Sequence, residues 1–220
     1  MDRGRVRRLR HPDFGLQGSQ ITSELGAAPS EAGRRCPWAE HAGPLERAYH
    51  DLEWGVPHRG DRALFELLSL EGAQAGLSWS IVLGRRAGYR RAFAGFDPEL
   101  LSTWTDENVH ELLGDAGIIR NRAKIASVLS NARAVCELRK GGRDLDSYLW
   151  SFTGGVPLQP RHGSPSDVPT TTDVAVSLST DLKRRGFRFI GPTIAYAFMQ
   201  AAGLTNDHLT TCFRFEELAR

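Results

Sequence analysis

Cysteine is scarce in this chain, whose 220 residues contain only 3, an odd number. This content argues against the disulfide framework of small secreted domains and favours a reducing, intracellular setting. Long apolar runs are lacking too, since no stretch approaches the ~20 residues that span a membrane. The start of the chain carries no apolar signal segment. We therefore expect a cytoplasmic protein with no membrane partner.

An excess of charge of one sign is also missing, because the formal net charge is only +2. Binding to a nucleic acid would then depend on a local basic patch and not on the global balance. Residues 1–33 begin with five arginines in ten positions and continue rich in Gly, Ser, Ala and Pro, without a helical or strand period. They predict a disordered basic tail before a folded domain at 34–220. A DNA-attracting arm, a targeting peptide, an over-long start and a dispensable extension all remain open for it.

Sustained strict alternation of apolar and polar residues is absent, so strands are not predicted. The folded part is helical in pattern and punctuated by glycines, which predicts an all-α domain of eight to ten short helices. Asp61 is expected to cap a leucine-rich helix, and Thr105 a short acidic one. An apolar stripe from Ile125 to Cys136 keeps a 3.6-residue period until Gly141, so Cys136 is assigned to the core.

The two other cysteines each have a histidine nearby. Cys36 and His50 come early, whereas His208 and Cys212 come late and four positions apart, a spacing that would place both on one helix face. Two thiolates and two imidazoles form a closed tetrahedral zinc set. The alternative is that the cysteines are small buried hydrophobes and the histidines surface or core residues.

A hairpin of two helices is predicted near the end of the chain. Gly186 and Gly191 bound a short turn, and Pro192 can open the second helix at its first position. The glycines would let backbone amides approach a phosphate. Four basic residues flank this turn: Lys183, Arg184, Arg185 and Arg188. They indicate sequence-independent DNA binding, or merely cations that suit a helix C-terminus.

The segment from Glu71 to Trp79 combines a carboxylate, glycines, an amide and an indole directly after the leucine-rich helix. A helix that ends at Glu71 before a bend at glycines would place the carboxylate at the edge of the core. A desolvated carboxylate there would be a strong acceptor for a partly cationic ligand. The alternative is a helix-end charge in water and a core tryptophan.

Three further aromatic residues lie close to the early cysteine and histidine. Tyr49 offers a hydroxyl, and Trp38 and Trp54 offer flat faces. With Trp79 they could wall a slot for a flat heterocycle, since stacking is worth roughly 1–3 kcal/mol per base. Tryptophans that are simply large core residues are the alternative.

Together these residues resemble the DNA-3-methyladenine glycosylase I family of base-excision repair enzymes, over about four fifths of the chain. The resemblance is carried by an ordered series of segments: Arg35-Cys36-Pro37-Trp38, Ala48-Tyr49-His50-Asp51, Glu53-Trp54-Gly55-Val56-Pro57, Glu71 to Trp79, Asp115-Ala116-Gly117-Ile118-Ile119-Arg120, Asn131-Ala132-Arg133-Ala134, Lys183-Arg184-Arg185-Gly186-Phe187, Phe198-Met199-Gln200-Ala201 and Asn206-Asp207-His208.

The resemblance implies an all-α helix-hairpin-helix glycosylase fold in which one structural Zn²⁺ per chain joins the N- and C-terminal segments. The implied zinc ligands are Cys36, His50, His208 and Cys212. The implied catalytic residues are Glu71 and Tyr49, and the implied base-binding residues are Trp79, Trp54 and Trp38. Together with the predicted hairpin, the expected DNA contacts are Gln74, Gly76, Leu77, Lys183, Arg185, Gly186, Arg188 and Gly191.

The implied activity is that of a monomeric, bacterial-type enzyme that works at the nucleoid on double-stranded, alkylated DNA. It would flip out 3-methyladenine and excise it by hydrolysis, leaving an abasic site. A lyase step is not expected, because no lysine stands in an obvious nucleophile position. A zinc hydrolase is disfavoured, since four protein ligands leave no open position on the metal. A non-enzymatic DNA-binding module would not need Glu71, Tyr49 and Trp79 together.

The chain also departs from the family pattern. Ala73 stands where the family often has a second glutamine, and one extra residue separates Cys36 from Tyr49. Asn206 stands where many other helix-hairpin-helix glycosylases carry an aspartate, which favours this family. Residues 1–33 have no counterpart, and the residues after Cys212 differ.

Overall fold

The computed structural model describes residues 34–219, and the regular structure of this part is helical. Its α-helices are α1 (Pro37–Glu40), α2 (Pro44–Leu52), α3 (Asp61–Gln74), α4 (Trp79–Leu83), α5 (Arg86–Ala92), α6 (Pro98–Ser102), α7 (Asp106–Leu112), α8 (Arg122–Lys140), α9 (Leu145–Trp150), α10 (Asp173–Arg184), α11 (Pro192–Ala201) and α12 (Phe213–Leu218). Short 3₁₀ turns occupy Ala94–Phe96, Ser151–Thr153 and Pro165–Asp167.

The predicted all-α class is confirmed for this part of the chain, where one isolated bridge between Leu158 and Thr205 is the only β-type pairing. The 12 α-helices within residues 34–219 exceed the expected eight to ten, because several have only 4 to 6 residues and leave little periodic signal. None of the helices within 34–219 is long and apolar enough to cross a membrane. The predicted tail, residues 1–33, lies outside the described residues.

Helix α3 forms the centre of the fold. All its residues from Leu64 to Ala73 are buried, as expected for a helix surrounded by others. It packs against α4, α8, α9 and α11. This helix therefore carries two glutamates, Glu66 and Glu71, into the interior. Glu66 is paired there with Arg86, whereas Glu71 is not paired with a cation.

Local capping signals account for several helix ends. Thr105 caps α7 as predicted, with its hydroxyl accepting from the Glu107 backbone N–H. Helix α8 ends where Gly141 begins the next turn, also as predicted. The prediction for Asp61 is wrong: Gly60 is the N-cap of α3 and Asp61 is its first residue. Its carboxylate instead accepts from the Asp146 backbone N–H at 3.0 Å, a tertiary contact that a local pattern does not reveal.

Helices α10 and α11 pack against each other and are joined by residues 185–191. Pro192 opens α11 at its first position, as predicted. Gly186 has φ +90°, a conformation that favours glycine. The buried amide of Asn131 in α8 accepts from the Arg188 N–H at 2.7 Å and donates to the Arg188 carbonyl at 3.2 Å. These two hydrogen bonds connect the turn between α10 and α11 to α8.

Candidate active site

Four potential metal ligands converge although they are far apart in sequence. Cys36 precedes α1, His50 lies in α2, His208 lies after α11 and Cys212 precedes α12. All four are buried, and their ligand atoms lie within 4.8 Å of one another. The early and late parts of the described chain therefore meet at one cluster of sulfur and nitrogen atoms.

The spacing of these atoms fits a tetrahedral ion. The Cys212 sulfur lies 3.5 Å from His50 Nε2 and 3.5 Å from His208 Nδ1, and the Cys36 sulfur lies 3.6 Å from His208 Nδ1. Zinc–sulfur and zinc–nitrogen bonds at tetrahedral angles place sulfur and nitrogen roughly 3.6 Å apart. The hydrogen bond between the two thiols lowers the pKa of Cys212 and raises the pKa of Cys36. A bound metal would need both as thiolates.

Outer contacts fix the orientation of both imidazoles. His50 Nδ1 lies 2.8 Å from a carboxylate oxygen of Asp51, and Arg35 binds the same carboxylate through Nε and Nη2. His208 Nε2 lies 3.0 Å from the Trp54 carbonyl. In each ring the remaining nitrogen faces the sulfurs. A carboxylate or carbonyl behind each histidine is the usual second layer of a zinc site.

The predicted helix that would carry both late ligands is not formed. His208 lies in an irregular segment, and Cys212 is the residue before α12. The segment bends because the Cys212 N–H bonds to the Leu209 carbonyl at 2.7 Å. Cys136 is half-buried in α8, apart from the cluster, with its sulfur 3.6 Å from the Pro98 carbonyl. It was assigned to the core, but it is not fully buried there.

Aromatic contacts connect this cluster to the predicted base-binding tryptophans. The ring of Trp54 lies 4.6 Å from that of His208, and the ring of Trp38 lies 5.2 Å from that of His50. The two indoles meet edge to face at 5.2 Å. Gly55, with φ +79°, lets the backbone after Trp54 pass close to His208, because a Cβ at this position would lie 3.1 Å from the His208 ring. The metal cluster and the tryptophans therefore form one packed unit.

A cavity of about 340 Å³ lies beside this unit. Its size is within the range of small-ligand sites. It is lined by Cys36, Pro37, Trp38, Tyr49, Trp54, Glu71, Gln74, Trp79, Pro165, Val168, Ala197, Gln200, Asp207 and Leu209. The predicted catalytic and base-binding residues are thus brought together around a single space.

Glu71 is a buried polar group of this cavity whose charge is not compensated by a cation within residues 34–219. Its side chain is only 3% exposed, and Oε2 makes no hydrogen bond to a described residue. Burial raises the pKa of this carboxyl to about 8. The alternative of a helix-end charge in water is excluded. The helix also does not end at Glu71 but continues through Gly72 to Gln74, so the carboxylate lies in the wall and not at the edge.

Tyr49 and Trp79 face each other across the cavity wall, with ring centroids 5.2 Å apart and planes at 45°. Burial, followed by the negative charges of Glu71 and Glu53, raises the pKa of Tyr49, so its hydroxyl remains a donor at neutral pH. Trp79 Nε1 is buried without a described partner. Trp38 is 43% exposed and therefore forms the outer rim of the cavity.

The predicted DNA contacts fall on two separate turns. Gln74, at the end of α3, lines the cavity, and Gly76 and Leu77 form the turn that follows, where the Leu77 N–H bonds to the Gln74 carbonyl. The backbone at this turn is held by Lys124, whose ammonium donates to the Ala73 and Ala75 carbonyls.

The second turn is the connection between α10 and α11. Lys183 and Arg188 are exposed there and form no ion pair with a described residue. Arg185, the residue that follows α10, is held by Asp181 of that helix, at 2.6 Å. A Cβ added at Gly186 or Gly191 would meet no atom within 4 Å, so the backbone of the turn is open to approach.

Two polar residues of the cavity were not singled out from the sequence, although both lie in segments that carry the resemblance. Gln200, in α11, and Asp207 line the cavity and are joined by a hydrogen bond of 2.7 Å. A pairing that depends on tertiary proximity leaves no periodic signal. Arg86, which pairs with Glu53 and Glu66, was likewise not singled out, because both partners are distant in sequence.

Known proteins resemble the chain in sequence and in structure. The family model for methyladenine glycosylase matches residues 38–215. DNA-3-methyladenine glycosylase 1 of Escherichia coli (strain K12) is 46% identical over 178 residues, which are 81% of this chain and 95% of the relative. A crystal structure of 3-methyladenine DNA glycosylase I has a TM-score of 0.80 and 47% identity, covering 82% of this chain and 98% of that one.

A variant of 3-methyladenine DNA glycosylase I, solved in complex with 3-methyladenine, is also similar. Its TM-score is 0.78 and its identity 34%, with 81% of this chain and 96% of that chain covered. These relatives are DNA glycosylases, enzymes that hydrolyse N-glycosyl bonds. With a family match over most of its length, the chain belongs to the methyladenine glycosylase family. The expected enzyme class is thereby confirmed.

Proposed function

We propose that this protein excises 3-methyladenine from alkylated double-stranded DNA by hydrolysis and leaves an abasic site. The observation that carries the proposal is the buried, unpaired carboxyl of Glu71 in a cavity walled by aromatic rings. The relatives named for 3-methyladenine, and one solved with it, support the choice of base. Methylation at N3 leaves adenine cationic, which is the chemistry that a desolvated carboxyl and flat aromatic faces recognise.

Selection in this proposal rests on the charge of the base. Glu71 costs free energy to ionise in its site, as its pKa of about 8 reflects. A cationic base placed beside it favours the ionised form, and the pair forms charge-assisted hydrogen bonds. Unmodified adenine is neutral and offers no such compensation. Glu71 therefore acts by differential stabilisation, while Tyr49 orients the base and Trp79, Trp54 and Trp38 contact its faces and edges.

The reaction needs little activation of the leaving group, because N3-methylation already weakens the glycosidic bond. The enzyme has to flip the nucleotide out of the helix, at a cost of a few kcal/mol, and hold the base where bond breaking is favoured. We propose a monofunctional reaction without a lyase step. In support, the described residues that line the cavity include no lysine that could form a Schiff base.

We further propose that Cys36, His50, His208 and Cys212 hold one structural Zn²⁺ per chain. The sulfur–nitrogen distances and the fixed imidazole orientations fit this ion. When bound it would supply a cross-link between the early and late segments. A closed set of four protein ligands does not suit a catalytic site, which keeps an open position. The residues that touch the base are different ones.

For DNA binding we propose that α10 and α11 act as a helix-hairpin-helix. The open backbone at Gly186 and Gly191 would approach phosphates, and the cations of Lys183, Arg185 and Arg188 would add affinity. Gln74, Gly76 and Leu77 would enter the gap left by the flipped nucleotide. Because both turns belong to the same chain, we propose that one folded domain, residues 34–220, binds DNA as a monomer.

The proposal is tested with methylated duplex DNA and the purified protein. We expect release of free 3-methyladenine, identified by chromatography, and intact strands that break only after alkali treatment of the abasic product. Release of another methylated base in its place would contradict the choice of substrate. Strand cleavage without alkali would contradict the monofunctional reaction.

A further inference from the structure

Besides Glu71, Tyr49 and Gln74, the polar side chains that line the cavity include Gln200 and Asp207. Gln200 lies in the last turn of α11, is half-buried and lines the cavity. Its Nε2 donates to Asp207 Oδ2 at 2.7 Å. Its Oε1 makes no hydrogen bond to a residue within 34–219 and is not enclosed by protein. One end of this amide is therefore engaged, and the other is available to a ligand.

The orientation of the amide follows from its partner. Asp207 is 2% exposed, and its carboxylate accepts from the Thr205 hydroxyl at 2.8 Å and from the Tyr196 hydroxyl as well as from Gln200. Oδ2 of Asp207 accepts from the Tyr196 hydroxyl and from the Gln200 amide, and an accepting oxygen meets only the N–H end of an amide. The amide must then turn its N–H towards Asp207 and its oxygen away. The bond to Asp207 thus presets an acceptor at the cavity surface.

We propose that Gln200 is a specificity-determining residue that accepts a hydrogen bond from the exocyclic amine of 3-methyladenine, and that Asp207 is the positioning residue that fixes its amide. This inference rests on the proposed function. The amine carries two N–H groups, so one can meet Glu71 and the other Gln200. Glu71 then selects for the charge of the base, and the two acceptors together select for an amine at position 6.

The distinction depends on the group at position 6 of the purine. Adenine carries an amine there, which donates, and guanine carries an oxygen, which accepts. If guanine were bound, its oxygen and the Gln200 oxygen would face each other as two acceptors, and both would lack a hydrogen-bond partner. Sites built to bind a donor reject analogues that lack the donor. 3-Methylguanine, which is also cationic, should therefore be excised less readily than 3-methyladenine.

The test uses the full protein and DNA treated with a methylating agent, which carries both bases in one reaction. We expect Gln200→Met to lower the release of 3-methyladenine about tenfold, the effect of one hydrogen bond. The release of 3-methylguanine should stay within about twofold, so the ratio of the two should fall. Gln159→Met is the matched control, because the Gln159 amide is bonded to Asn206 and the Leu218 carbonyl, outside the cavity. It should leave the ratio unchanged.

Asp207→Asn tests the positioning role. An amide at this position can offer an oxygen or an N–H, so Gln200 is no longer held in one orientation, and the ratio should fall as in Gln200→Met. Metal content is measured alongside, because position 207 precedes the ligand His208. An equal loss for both bases, or no change in the ratio in Gln200→Met, would overturn the inference and leave Gln200 a packing residue.

A binding measurement separates this inference from the proposed function. Quenching of tryptophan fluorescence by the free bases reports occupancy of the cavity without the reaction. We expect Gln200→Met to weaken 3-methyladenine binding about tenfold and to leave 3-methylguanine binding unchanged. If the unsubstituted protein releases no base from DNA, the proposed function fails. The titration would still overturn the role of Gln200 if both affinities change alike.

Discussion

At the scale of single residues, the proposed function depends on the carboxyl of Glu71, which its surroundings keep neutral. Glu71 sits on the most buried helix of the domain, without a hydrogen-bond partner on Oε2. The other buried glutamate of α3, Glu66, is paired with Arg86 and Arg90. The contrast between two glutamates five positions apart shows that burial alone does not leave a carboxyl unpaired. Glu71 Oε2 lacks a hydrogen-bond partner in the described part of the chain because it lies in the wall of the cavity.

This environment makes a prediction for stability against pH. Below about pH 4.5 the Glu71 carboxyl is protonated in both the folded and the unfolded chain. As pH rises towards 8 only the unfolded chain releases the proton, so the free energy of unfolding falls. Glu71→Gln removes this loss. We expect the variant to gain stability relative to the unsubstituted protein between pH 5 and 9, on the order of 5 kcal/mol at most.

The measurement is denaturant unfolding of the DNA-free protein at several pH values. Glu137→Gln serves as the control, because Glu137 is an exposed residue of α8 paired only with Lys140. It should show no comparable trend. A stability difference for Glu71→Gln that stays constant from pH 5 to 9 would show that Glu71 ionises normally.

At the scale of elements, the sequence was informative wherever a helix end is determined locally. Thr105 and Gly141 mark their helix ends correctly, and Pro192 opens α11. The N-cap prediction for Asp61 is wrong because its carboxylate accepts hydrogen bonds from Asp146 and Arg139, which are distant in sequence. A residue whose type favours a helix N-cap can instead bond to a partner that is distant in sequence.

The connection between α10 and α11 gives a prediction at this scale. Lys183 and Arg188 are exposed without an ion pair among residues 34–219, whereas Arg184 is paired with Asp181. If the first two contact phosphates, replacing both with alanine should reduce the slope of log affinity against log salt by about 2. Arg184→Ala should change the slope much less. Fluorescence anisotropy with duplex DNA at several salt concentrations measures it, and an equal slope for all variants would argue against a DNA contact here.

At the scale of the whole molecule, residue types were a better guide than spacing. The cysteines and histidines indicated the cluster, although the helix expected for His208 and Cys212 is not formed. The aromatic residues and Glu71 were likewise identified by chemistry and by resemblance. Gln200 and Asp207 received no role, because their pairing arises only when α11 and the following loop fold together.

The metal cluster leads to a prediction about the whole domain. Cys212→Ser should lower bound zinc well below one ion per chain and reduce Tm by on the order of 10 °C. It should also weaken 3-methyladenine binding, because Trp54 and Trp38 pack on the two histidines. Cys136→Ser is the matched control and should retain zinc and Tm. Metal analysis and thermal unfolding test this, and undiminished zinc and Tm in Cys212→Ser would contradict a structural ion at these residues.

In the proposed function, Glu71 provides the selective stabilisation of a cationic base. Its most direct test is the single-turnover rate of 3-methyladenine release by Glu71→Gln, compared with the unsubstituted protein and with Glu137→Gln at equal zinc content. We expect a rate lower by about a hundredfold for Glu71→Gln, as for the loss of one preorganised electrostatic contact, and no change for the control. A Glu71→Gln rate within twofold of the unsubstituted protein would contradict it.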